Sequence, residues 1–156
     1  MRGGGSYPAG ITATITATPK AGYSFVNWTE GSAVVSAAAK YTFTVNAAHA
    51  FVAHFVKDAT ITLTPSPVAG GTVAGGGTVA TGAQHAVTAT PKSGYMFVNW
   101  TEDGAVVSNA AHYVFTVAGN RTLVAHFART STITLSASPA NEGTVAGAGT
   151  FATGTS

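Results

Sequence analysis

The chain contains no cysteine, so no disulfide framework holds it together and no redox compartment is written into it. Charge is scarce as well. Asp, Glu, Lys and Arg make up 8% of its 156 residues, against about 25% in ordinary soluble domains. The seven basic residues stand apart from one another, and no cluster of them follows a phosphate backbone, which argues against nucleic-acid binding despite the net charge of +2. Leucine occurs only at 63, 123 and 135. The usual helix formers are few, and no helical periodicity shows. No apolar run is long enough to cross a bilayer, and residues 1–10 lack the apolar centre of a signal peptide.

What remains is alanine, valine, threonine and 19 glycines, a mixture that favours strands and turns. Residues 11–18 alternate Ile11, Ala13, Ile15 and Ala17 with threonine, the period of a half-buried strand. Residues 41–45 alternate in the same way. Phe51, Ala53 and Phe55 share one face of a further strand, with Val52 and His54 on the other. The fold class expected is all-β.

One stretch is written twice. Gly22-Tyr23-Ser24-Phe25-Val26-Asn27-Trp28-Thr29-Glu30 returns as Gly94-Tyr95-Met96-Phe97-Val98-Asn99-Trp100-Thr101-Glu102, an offset of 100 − 28 = 72 residues. The same shift aligns Pro19 with Pro91, Tyr41 with Tyr113, His54 with His126 and Pro67 with Pro139, without a gap. A repeat of this length means tandem antiparallel modules of about six short strands each. In each copy the Trp lies at an odd offset from the Phe, so a bulge or a strand end must bring both to one core. Glu30-Gly31-Ser32, and more strongly Glu102-Asp103-Gly104, read as hairpin turns. A connection is expected at Lys57-Asp58-Ala59, too short for a flexible linker.

The phase of the repeat divides the chain into residues 1–58, a first module lacking its opening strands; 59–130, a complete second module; and 131–156, the opening of a third copy. Counterparts of residues 61–73 of the first module would lie before Met1, and the tail supplies that segment at the other end. The motifs Gly-Tyr-x-Phe-Val-Asn-Trp-Thr-Glu, Tyr-x-Phe-Thr-Val and Leu-Val-Ala-His-Phe resemble those of the divergent internalin-type B-repeat family (the Listeria–Bacteroides repeat group). Ile-Thr-Leu-x-x-x-Pro followed by Gly-Thr-Val fits it too. The resemblance spans nearly the whole chain. It implies small β modules strung along bacterial surface and secreted proteins as stalks, spacers or adhesive regions, with no catalytic residues. It also implies a β-grasp-like fold with a helical crossover, for which this sequence shows no pattern.

Candidate chemistry reduces to packing. Glu30 and Glu102 sit one per module, whereas a catalytic carboxylate pair must face one bond. His54 and His126 are likewise equivalents, without the converging ligands of a metal site. Asp occurs only at 58 and 103, both in predicted turns, and supports no hydrolase triad. Gly75-Gly76-Gly77 lacks the Lys-Ser/Thr and helix of a phosphate loop. No catalytic residue, cofactor or metal is therefore expected. Trp28 and Trp100 are candidate sugar-stacking platforms, but their place in a shared motif argues for core.

The function expected is that of a structural repeat of an extracellular fibre or surface stalk, a head-to-tail homopolymer made by strand donation. The donor residues are Ile133, Leu135, Val145 and Phe151. The acceptor module offers Ile11, Ile15, Tyr23, Phe25, Trp28, Phe51 and Phe55, of which Tyr23, Phe25, Trp28, Phe51 and Phe55 are also expected in the core. The other reading is an adhesin-type module that takes glycan or a host protein through the hairpin loops.

Overall fold

The computed structural model describes residues 5–140 and 142–153. Its strands follow in chain order: β1 (Thr12–Thr16), β2 (Tyr23–Glu30), β3 (Ala33–Ser36), β4 (Lys40–Thr44), β5 (Phe51–Ser66), β6 (Gly71–Ala74), β7 (Gly77–Ala80), β8 (Gln84–Pro91), β9 (Tyr95–Glu102), β10 (Ala105–Ser108), β11 (His112–Thr116), β12 (Arg121–Ile133) and β13 (Gly149–Ala152). Among the described residues the helical content is one 3-10 turn, Val68–Gly70. Among the described residues no helix is long and apolar enough to cross a membrane. The all-β expectation holds, and no helical crossover of the β-grasp kind is present among the described residues.

The chain forms two compact units, Met1–Ala59 with Val79–Ala83, and Thr60–Thr78 with Gln84–Ser156. In the first, β1 pairs antiparallel with β4, setting Ile15 opposite Tyr41. β2 pairs antiparallel with both β3 and the first half of β5. Ile15, Ala17 and Trp28 form the buried centre, with Phe25, Val35, Tyr41, Phe43, Phe51 and Ala53 packed around it.

The odd Phe-to-Trp spacing is resolved by a bulge. Phe25 faces Phe55 and Asn27 faces His54, so Val26 is the extra residue, and the next side chains change face. Phe25 and Trp28 then meet with ring centroids 5.9 Å apart. Val98 is the extra residue of the second copy, between Phe97–Phe127 and Asn99–His126. Each buried indole finds its acceptor: Trp28 Nε1 donates to Ala39 O at 3.2 Å, Trp100 Nε1 to Ala111 O at 3.3 Å.

The second unit repeats these pairings, β8 with β11 and β9 with β10 and β12, and adds more. β6 joins β8 antiparallel, and the second half of β5 lies parallel to β12, with Ile61 beside Arg121 and Leu63 beside Leu123. The parallel pair departs from the all-antiparallel expectation. So does β5 itself, which runs unbroken through Lys57, Asp58 and Ala59. Asp58 tolerates its place in a strand because Ser24 Oγ donates to its carboxylate at 2.7 Å, while Ala59 is 2% exposed.

Candidate functional site

The opening strands of the second unit act as a cover. Val87, Trp100, Val117, Leu123 and Ala125 are fully buried, and Ile61, in the half of β5 that runs parallel to β12, is 2% exposed. Phe127 is sealed by the turn after β5. A methyl group on Gly70 would stand 2.6 Å from Phe127 Cβ, and one on Gly71 would run into the Phe127 ring, so only glycine lets the backbone come this close. Asn120 Oδ1 accepts the Thr60 N–H at 2.9 Å and fixes where the cover begins.

At the same place the first unit has a groove of about 640 Å³, lined by Tyr7, Ile15, Trp28, Phe43, His49 and Phe51 among others. Its floor repeats that of the second unit by the 72-residue shift: Ile15 stands for Val87, Trp28 for Trp100, Phe51 for Leu123. The expected acceptor residues divide accordingly. Ile15 and Trp28 are buried, and Phe25 and Phe51 are half-buried around them. Ile11, Tyr23 and Phe55 are exposed, at 39%, 48% and 38%, which corrects the expectation that Tyr23 and Phe55 are core. The reason is local: Phe127, the counterpart of Phe55, is buried by the Gly70–Gly71 turn, and the described part of the first unit has no such turn.

The expected donor residues are all exposed: Ile133 50%, Leu135 44%, Val145 53% and Phe151 46%. They do not act together. Phe151 belongs to β13, which pairs antiparallel with β12 from Thr130–Ala152 to Ile133–Gly149, so it sits in the sheet of its own unit. Thr153 N donates to Arg129 O at 2.7 Å as Thr81 N donates to Lys57 O at 3.0 Å, so the tail begins as the second copy does. Leu135 and Val145 lie in no strand.

Above the groove, a difference in one residue changes the electrostatics. In the second unit Arg121 forks onto Glu102 through Nε and Nη2, the latter at 2.6 Å, and its guanidinium lies 4.3 Å from the Phe115 ring centre. The Arg121 hydrogen bonds hold the Glu102 carboxyl below its ordinary range, and Glu102 in turn raises Arg121. His49 takes the place of Arg121 in the first unit. Its Nδ1 is 2.8 Å from Glu30 Oε1, its Nε2 3.2 Å from Asn46 Oδ1, and its ring stacks on Phe51 at 5.2 Å. Sequence reasoning missed this pair; the signal was the mismatch of His49 with Arg121 beside the matched Glu30 and Glu102.

The remaining candidates are structural in their contacts. His54 and His126 meet Thr29 and Thr101 at 2.9 Å on the outer faces. Trp28 and Trp100, at 1% and 0% exposure, present no face for a sugar to stack on. Among the described residues no cluster of three or more His, Cys, Asp or Glu is arranged to hold a metal ion. The model of the divergent InlB B-repeat domain matches residues 1–59 and again 61–131. The chain belongs to this B-repeat family. Domains of the family are repeats of bacterial surface proteins. No curated protein and no solved structure matches the chain.

Proposed function

We propose that this B-repeat chain is a structural, self-associating element of an extracellular fibre or surface stalk, without enzymatic activity. Residues 132–145 of one copy enter the open groove of the next copy's first module. The observation that carries this reading is the second unit itself, which holds in the matching groove the segment that the tail repeats. Ile61-Thr62-Leu63 becomes Ile133-Thr134-Leu135, and Gly71-Thr72-Val73-Ala74 becomes Gly143-Thr144-Val145-Ala146. By that register Ile133 comes beside His49 and Leu135 beside Phe51. Burial contributes roughly 1.5–3 kcal/mol for each apolar side chain. The ladder satisfies an edge of β5 that has β2 on one side and, from Phe51 to Val56, no strand partner on the other among the described residues. Thr130–Ile133 are already ordered by β13, so the entropy cost falls on the residues beyond them. A head-to-tail contact that does not close on itself builds a filament.

The test is molecular size against concentration, for the full chain and for a chain ended at Thr130. The full chain is expected to grow with concentration and the shortened one to stay monomeric. If both are monomeric with a folded first module, strand donation is wrong. The second reading, an adhesin module for glycan or host protein, is favoured by one observation. A shallow pocket on the outer face of the second unit, between Val98, Gly104 and His126, has beside it the Asn99 Oδ1, buried and without a hydrogen-bond partner. Glycan-array binding by a strictly monomeric sample, lost on substitution of Glu102–Gly104, would favour it.

A further inference from the structure

The tail copies the covering segment of the second unit closely, and its most severe steric mismatch lies at one position. Gly71, Gly75 and Gly77 correspond to Gly143, Gly147 and Gly149, and Gly75 and Gly147 share a positive φ of 97° and 100°. Gly70 corresponds to Glu142. The two positions share one backbone hydrogen bond: Gly70 N donates to Pro67 O at 2.8 Å, and Glu142 N donates to Pro139 O at 3.2 Å. In the second unit a Cβ at position 70 would meet Phe127 Cβ at 2.6 Å and Tyr95 Cδ1 at 3.2 Å. Contacts that short force the backbone or the rings to move.

The acceptor groove carries the same two rings, Phe55 for Phe127 and Tyr23 for Tyr95. We infer that Glu142 limits the joint between copies to its first half: residues 133–138 lie along residues 49–54, at the start of β5, while Glu142 props the following turn off Phe55 and Tyr23. The inference rests on the strand-donation reading and adds which part of the tail engages and what sets its strength. A second copy is thereby held less tightly than a module holds its own covering segment, and the contact stays reversible. The charge of Glu142 has a smaller part than its Cβ, since an exposed turn leaves the carboxylate access to water.

Two variants of the full chain separate the possibilities: Glu142→Gly, which removes the Cβ, and Glu142→Ala, which removes the charge but keeps the Cβ. Sedimentation velocity over a concentration series reads the midpoint of assembly. Glu142→Gly is expected to lower that midpoint about tenfold, the factor that corresponds to about 1.4 kcal/mol, against the added flexibility of glycine. Glu142→Ala is expected to leave it within about threefold of the parent, a fraction of that energy. An equal gain from both variants would overturn the steric argument in favour of charge, and no gain from Glu142→Gly would show that the turn does not approach Phe55. In either case an assembling parent chain, with its Thr130-ended form monomeric, leaves strand donation standing. If the parent and both variants are all monomeric with the first module folded, strand donation itself fails and this inference with it.

Discussion

The two modules share one framework and differ in a cover. Trp28 and Trp100 are equally buried, at 1% and 0%, and each is held by the same indole hydrogen bond. Phe55 and Phe127 occupy matching places, yet one is 38% exposed and the other 6%. The aromatic motif therefore suffices to build the centre of a module. The opening segment of the repeat decides how far burial extends from that centre. In the second unit this lid is the stretch from Thr60 to Ala74, which precedes the core in sequence.

The largest effect tests what the modules share. Trp28→Ala and Trp100→Ala are each expected to cost about 3–5 kcal/mol, enough to unfold the module that carries the change. Each module has a single tryptophan, so the indole that remains reports on the other module by fluorescence during denaturation. The next tests what separates them. Phe127→Ala is expected to cost about 3–5 kcal/mol, whereas Phe55→Ala in a monomeric sample costs about half of that or less, because its ring is already partly in water. Amide hydrogen exchange in β9 and in β2 gives the two values. Equal losses would mean that the lid contributes little to the core.

A smaller effect probes the lid directly. Gly70→Ala is expected to destabilise the second unit by about 1–3 kcal/mol through overpacking against Phe127. An unchanged melting temperature would show that the turn shifts freely, and would also weaken the role given to Glu142.

These contrasts mark what the sequence discloses. The repeat, the hairpin at Asp103 and Gly104 (φ 50° and 82°) and the bulge required by the Phe-to-Trp spacing were all legible, because each follows from local spacing or turn chemistry. Exposure of Tyr23 and Phe55 was not, since an aromatic in a strand looks like core whether or not another segment covers it. The continuity of β5 through Asp58 was hidden for a similar reason. A charged residue in a strand is tolerable once Ser24 donates to it, and that partner lies 34 residues away. Of the candidate site, the matched segments were visible as a shifted repeat, but the parallel register and the Phe151 pairing depend on backbone geometry.

The smallest expected effects concern the pair above each groove. Glu102 has a lowered folded pKa, caused first by the Arg121 hydrogen bonds, so its pairing adds stability above the ordinary carboxyl value of 4.5. That stability is lost as pH falls through the folded pKa. Arg121→Gln should therefore lower the stability of the second unit at neutral pH, with the deficit shrinking in acid as Glu102 is protonated in both proteins. In the first unit, His49 is charged only when protonated, so its pairing with Glu30 is conditional where that of Arg121 is permanent. His49→Arg is expected to stabilise the first unit by up to about 1 kcal/mol, the range for partly exposed pairs. Denaturant titrations of β2 amide protection at low and high salt measure it. A gain that persists at high salt would assign the effect to the stacking of the larger side chain on Phe43, as Arg121 lies over Phe115, and not to charge.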